Sequence, residues 1–95
     1  MAKQYQNNKN FLIIQMSWRE WVAISETWGL CDCCGGQDFD TGGYYVAVVN
    51  SWYCKKCFDS YYAGATHYKV DLNKERDNFN KVVNKLKRLG TWENE

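Results

Sequence analysis

The strongest periodicity lies near the C-terminus. Phe79, Val82, Val83, Leu86 and Leu89 follow the i, i+3, i+4, i+7, i+10 spacing of one helical face. Asp71 or Asn73 offers a cap, and Glu75 and Asp77 stand in the first turn. Lys85, Lys87 and Arg88 stand in the last, where cations suit the helix dipole, and Gly90 supplies a stop. This pattern predicts an amphipathic helix over about 72–89. Its stripe has two uses: packing on the rest of the domain, which is preferred, or pairing with a second copy in a homodimer. An earlier helix is predicted from Ser17, which forms a capping box with Glu20 while Met16 and Trp21 stand at the hydrophobic-staple positions. It should run to about Trp28, with Gly29 as a left-handed C-cap. Trp18, Trp21, Val22, Ser25 and Trp28 then share a face, read first as core packing and second as a partner-binding groove.

Shorter apolar runs predict the remaining elements. Phe11–Met16 and Tyr44–Val49 read as strands, and Trp52–Cys54 as a return strand after a turn at Asn50-Ser51. Residues from Lys55 to about Ala63 read as a short helix broken at Gly64. Met1–Asn10 is polar and amide-rich and reads as a disordered tail, leaving 11–95 as one domain. The expected class is a small α+β protein, with a Trp-rich helix before its centre and an amphipathic helix after it.

The chemistry sits in that centre. Two C-x2-C pairs, Cys31/Cys34 and Cys54/Cys57, are separated by a stretch of the length found in four-cysteine metal sites. Two-residue spacing lets both thiolates of a pair converge on one cation, and two pairs close a tetrahedron with no open position. The reading is a structural Zn2+ ion. A redox dithiol leaves one pair unexplained, and a rubredoxin-like iron site usually has glycine knuckles at both pairs, whereas Phe58 follows Cys57. Gly35-Gly36 suits the sharp turn after the first pair. Cys33 is expected to point away as a free thiol, with replacement of a ligand by Cys33 as the lesser reading. His67, the single histidine, is read as a surface or packing residue, and Asp32, Asp38 and Asp40 as turn caps.

A Cys-Cys-Gly knuckle, a hairpin through Tyr44 to Tyr53 and a helix opening at the second pair together resemble the treble-clef zinc finger. The resemblance covers roughly Leu30 to Ala63, about a third of the chain. It implies knuckle ligands at Cys31 and Cys34, Cys54 closing the hairpin, and Cys57 in the first turn of the helix. The fold group includes nucleic-acid binders, protein binders and nucleases, so it implies no single activity.

Composition narrows the function. Twelve Lys+Arg nearly balance eleven Asp+Glu, which argues against a protein that finds nucleic acid or anionic membrane by a strong uniform field. One histidine cannot assemble the second, open metal site of the nucleases, and no nucleophile triad, P-loop or dinucleotide fingerprint is present, so an enzyme is not expected. Aromatics make up 17% of the chain, with five Trp and seven Tyr, residues that dominate protein-binding hot spots. A protein partner is therefore preferred. The alternative is nucleic-acid binding through Lys55, Lys56, Lys81, Lys85 and Arg88 of the basic C-terminal helix and the short helix before it. No signal peptide or membrane-length apolar run is visible and five cysteines fit a reducing compartment, so a cytoplasmic protein without a membrane partner is expected. Small size and absence of catalytic groups also suit an accessory protein of a phage or mobile element.

Overall fold

The computed structural model describes residues 2–25, 28–37 and 39–93. Strands β1 (Lys3–Gln4), β2 (Ile13–Met16), β3 (Gly43–Val46) and β4 (Ser51–Cys54) form one antiparallel sheet in the order β1-β2-β3-β4. Helix α1 (Trp18–Ile24) follows β2, α2 (Lys55–Gly64) follows β4 directly, and α3 (Leu72–Leu89) ends the fold.

The register decides which side chains meet which helix. Ile13 pairs with Val46, Ile14 with Tyr45, and Tyr45 with Trp52. Side chains alternate across a strand, so the sheet divides the interior in two. One face carries Ile13, Tyr44 and Val46 against Phe58 of α2, with Phe11 closing the cluster. Tyr44 and Phe58 stack there at 4.2 Å between ring centroids. The other face carries Ile14, Met16, Tyr45 and Trp52 against Trp21 of α1 and Val82, Val83 and Leu86 of α3. The apolar stripe of α3 is thus buried within the chain, and Leu89, 45% exposed, is the part left outside.

Several expectations need correction. The supposed tail is structured: Lys3–Gln4 pairs with β2, and Ala2 is fully buried. Ala2 bridges to Trp92, with its N–H donating to Thr91 O and its carbonyl accepting from Glu93 N. Polar composition hid this because the segment is held by backbone hydrogen bonds and by Tyr5, which packs edge-on against Tyr44 and Phe58. Helix α1 stops at Ile24, with Ser25 already extended, and Gly29 does not cap it. Positions 26 and 27 lie outside the described residues. Gly29 has φ +77°, and a Cβ there would lie 2.6 Å from Trp18 Nε1, so close approach to α1 demands glycine as much as the backbone does.

The hairpin strand ends at Val46, not Val49. Ala47–Val49 forms a 3-10 turn and Asn50 takes the left-handed conformation that leads back into β4. Ala47 is claimed by tertiary bonds, its N–H donating to Leu12 O and its carbonyl accepting from Asn78 Nδ2 of α3. Of the two cap candidates, Asp71 occupies the N-cap position of α3, but its side chain makes no capping bond. The Ser17–Glu20 capping box and the Gly90 left-handed stop are present as expected. No helix among the described residues is long and apolar enough to cross a membrane.

Candidate metal centre

The site forms where a loop, a strand and a helix start meet. Cys54 ends β4 and is the N-cap residue of α2, so Cys57 falls in the first turn of that helix. The first pair lies in a tight turn: Gly35 N–H donates to Cys31 O at 2.8 Å, and Cys31 N–H donates to Gly36 O at 2.9 Å. Gly35 has φ +70°, the left-handed conformation that such a knuckle needs. Asp32 then fastens the knuckle to the sheet edge. Its N–H donates to Trp52 O and its carboxylate accepts from Trp52 N–H, both at 2.7 Å. Asp32 was expected only to cap a turn, whereas it occupies the free edge of β4. Asp38 lies outside the described residues.

These constraints bring the sulfurs of Cys31, Cys34, Cys54 and Cys57 within 4.8 Å of one another. Cys34 Sγ and Cys54 Sγ, from different pairs, are 3.9 Å apart. A tetrahedral cation with thiolate bonds of about 2.3 Å places its sulfurs about 3.8 Å apart, so the cluster has the dimensions to hold one metal ion. Two backbone N–H groups already point at sulfur: Cys33 N donates to Cys31 Sγ and Gly36 N to Cys34 Sγ, each at 3.4 Å. Cys33 itself is exposed and outside the cluster.

Electrostatics points the same way. Burial pushes the Cys31 thiol up, but N–H groups of Cys34, Cys54 and Cys33 favour the thiolate and bring it down to about 7. Burial raises Cys54 despite help from Cys57. Cys57 is raised by burial and then by the sulfurs of Cys34, Cys54 and Cys31. Four thiols this close cannot all ionise alone, because each thiolate opposes the next; a divalent cation removes that opposition and takes all four as ligands.

The lysines do not form one patch. Lys55 is engaged with Asp59 at 2.9 Å, the i, i+4 partner on α2. Lys56 lines a groove of about 520 Å3 beside the cluster, with Cys33, Tyr53 and Tyr61. Lys81, Lys85 and Arg88 lie on α3, which packs on the opposite face of the sheet from α2. Lys81 and Lys85 line a cleft against the hairpin, and Lys85 continues with Arg88 along a shallower one.

Two buried carboxylates escaped sequence reasoning. Glu75 is 1% exposed; one oxygen meets His67 Nε2 at 2.7 Å and the other accepts from Leu12 N–H at 2.9 Å. His67 also packs edge-on against Phe11, so it is a packing residue, and it makes a polar bond as well. Glu20 completes its capping box and also accepts from Ala2 N–H at 2.8 Å. Acidic residues early in a helix read as dipole partners, and nothing local in the sequence marks these two as anchors for distant backbone.

No protein-family model matches this chain, and neither a curated protein nor a solved structure matches it.

Proposed function

We propose that this chain is a small non-catalytic binding module, stabilised by one structural zinc ion, that engages a protein partner. The donor set supports zinc: four cysteine sulfurs with tetrahedral spacing suit a borderline-soft ion without redox demands and leave no coordination position for substrate. The order of knuckle, hairpin and helix supports a treble-clef-like core, with its hairpin absorbed into a four-stranded sheet. When bound, the metal would tie the knuckle to the β4–α2 junction.

The observation that carries the partner reading is the pair of exposed rings that flank the knuckle in sequence. Trp28 is 76% and Phe39 63% exposed, with Leu30 between them in sequence at 39%. Phe39 packs on half-buried Trp18 at 4.6 Å, and Gly29 lies against the same indole. Tyr44 and Tyr45 of the hairpin are buried, so the tryptophan side supplies the surface. Large exposed rings on a rigid base are what binding hot spots use.

Two measurements test this. Elemental analysis should find one zinc per chain, lost in Cys34→Ser and kept in Cys33→Ser; no metal, or loss with Cys33→Ser, overturns the ligand set. Selection from a displayed random-peptide library should then enrich sequences that bind the zinc-loaded protein but not a Trp28→Ala/Phe39→Ala variant of unchanged metal content. No enrichment, or equal binding by the variant, overturns the partner surface.

A further inference from the structure

Independently of those rings, we propose that the cleft between the β3–β4 hairpin and α3 binds the phosphate group of a nucleotide-sized ligand, held by Lys81 and Lys85. The cleft encloses about 400 Å3, within the range of small-molecule sites. Both lysines enter it from successive turns of α3, and no carboxylate among the described residues lies within ion-pair distance of either. Among the described residues, Lys85 Nζ meets Ile24 O at 3.4 Å. The one carboxylate in the lining, Asp32, is drawn toward the sheet edge by the bond its Oδ2 accepts from Trp52 N–H, and the two ammonium groups still outnumber it.

Like charges at i, i+4 repel along a helix, so this pair costs stability unless an anion lies between them. The dipole argument that suits Lys87 and Arg88 in the last turn does not extend to Lys81, two turns earlier. Neutral donors complete the site. Tyr45 donates its hydroxyl hydrogen to Asn50 Oδ1 at 2.6 Å, which orients that amide and leaves its N–H groups to donate. Asn78 is fixed from the other wall by its bond to Ala47 O. Two ammonium groups and an oriented amide match a dianionic phosphate ester better than a singly charged carboxylate. The indole of Trp52 forms part of the wall, so occupancy is reported by its fluorescence.

The zinc-loaded full chain would be titrated at low salt with inorganic phosphate, adenosine monophosphate and a short single-stranded oligonucleotide, followed by tryptophan fluorescence and calorimetry. Saturable binding of at least one is expected, weakened about tenfold or more by Lys81→Ala and by Lys85→Ala, since each charge-assisted bond contributes on that scale. Lys74→Ala, in the first turn of α3, should leave it unchanged. Tightest binding of the monophosphate identifies a free nucleotide as the source. Tightest binding of the oligonucleotide, with steep salt dependence and further loss in Arg88→Ala, identifies a strand following the row from Lys81 to Arg88. All variants are compared at wild-type metal content. Absence of saturable binding by all three probes, or binding equally affected by Lys74→Ala, overturns the proposal.

Discussion

Replacing Glu75 by alanine tests whether a buried carboxylate holds the chain before β2 onto α3. The side chain is 1% exposed and makes two bonds, to Leu12 N–H far away in sequence at 2.9 Å and to nearby His67 Nε2 at 2.7 Å. Truncation leaves a backbone donor and an imidazole without their partner. A buried polar group left unpaired costs about 1–3 kcal/mol, and the two are partly wet, so their sum sits near 3 kcal/mol. The space vacated beside Leu12 and His67 adds a packing loss. The net expectation is a loss of about 3 kcal/mol, a large share of the roughly 5–15 kcal/mol that holds a small domain together. Glu75→Gln separates acceptor from charge. Its amide oxygen still receives Leu12 N–H and its NH2 stays within reach of the His67 ring, so the loss should be about 1 kcal/mol. Urea unfolding at saturating zinc, followed by tryptophan fluorescence, gives both numbers if the slope of the transition is unchanged. An alanine variant within about 0.5 kcal/mol of wild type, which is surface-substitution behaviour, refutes the anchoring argument. Equal losses in the two variants would show that charge matters and hydrogen-bond acceptance does not.

Two other residues give sharp outcomes. A Cβ at Gly43 collides with the ring of Trp21, so Gly43→Ala should cost about 1–3 kcal/mol in urea unfolding, whereas Gly64→Ala meets open space and should be neutral or slightly stabilising. Burial opposes ionisation of Glu20, but the bonds it accepts from Ser17 and Ala2 N–H help to outweigh it, and its pKa lies below the ordinary 4.5. A depressed folded-state pKa contributes stability that is fully present above 4.5 and is lost as pH falls through the folded value. The stability gap between wild type and Glu20→Gln should therefore be widest near neutral pH and shrink below 4.5, as read from paired urea titrations; a gap that stays constant refutes the assignment.

Local signals were legible in the sequence where one residue type satisfies one local demand. The Ser17–Glu20 box, the α2 start at Cys54, the stripe and Gly90 stop of α3, and the four clustered sulfurs all belong to this class. The misses share another cause. β1 exists because Lys3–Gln4 finds β2, and nothing in a polar decapeptide announces a partner strand ten residues on. Lys9 looks like a tail residue, yet its Nζ lies 2.5 Å from Tyr62 O and 3.1 Å from Ala65 O, satisfying carbonyls at the end of α2. The early end of β3 likewise follows from Ala47 being drawn to Leu12 and Asn78, a tertiary demand that outweighs the β-branched run Val48-Val49.

The candidate metal centre sits at the edge of this core, and that placement indicates what an ion bound there would do. Both apolar clusters are built from the sheet and its three helices, and the knuckle contributes little to them beyond Cys31. Asp32, Cys33, Cys34 and Gly35 are exposed, so burial alone gives them almost no hold. Their backbone is fixed by short turns and by two hydrogen bonds between Asp32 and Trp52. Ordering each residue costs about 1–2 kcal/mol of conformational entropy, which two net bonds of about 1 kcal/mol each do not offset. Four thiolate–metal bonds would supply the difference at the point where it is missing. A bound ion would thereby rigidify the knuckle that lies between Trp28 and Phe39 in sequence. The proposed protein-binding surface would gain from that rigidity, since mobile side chains lose more entropy on association.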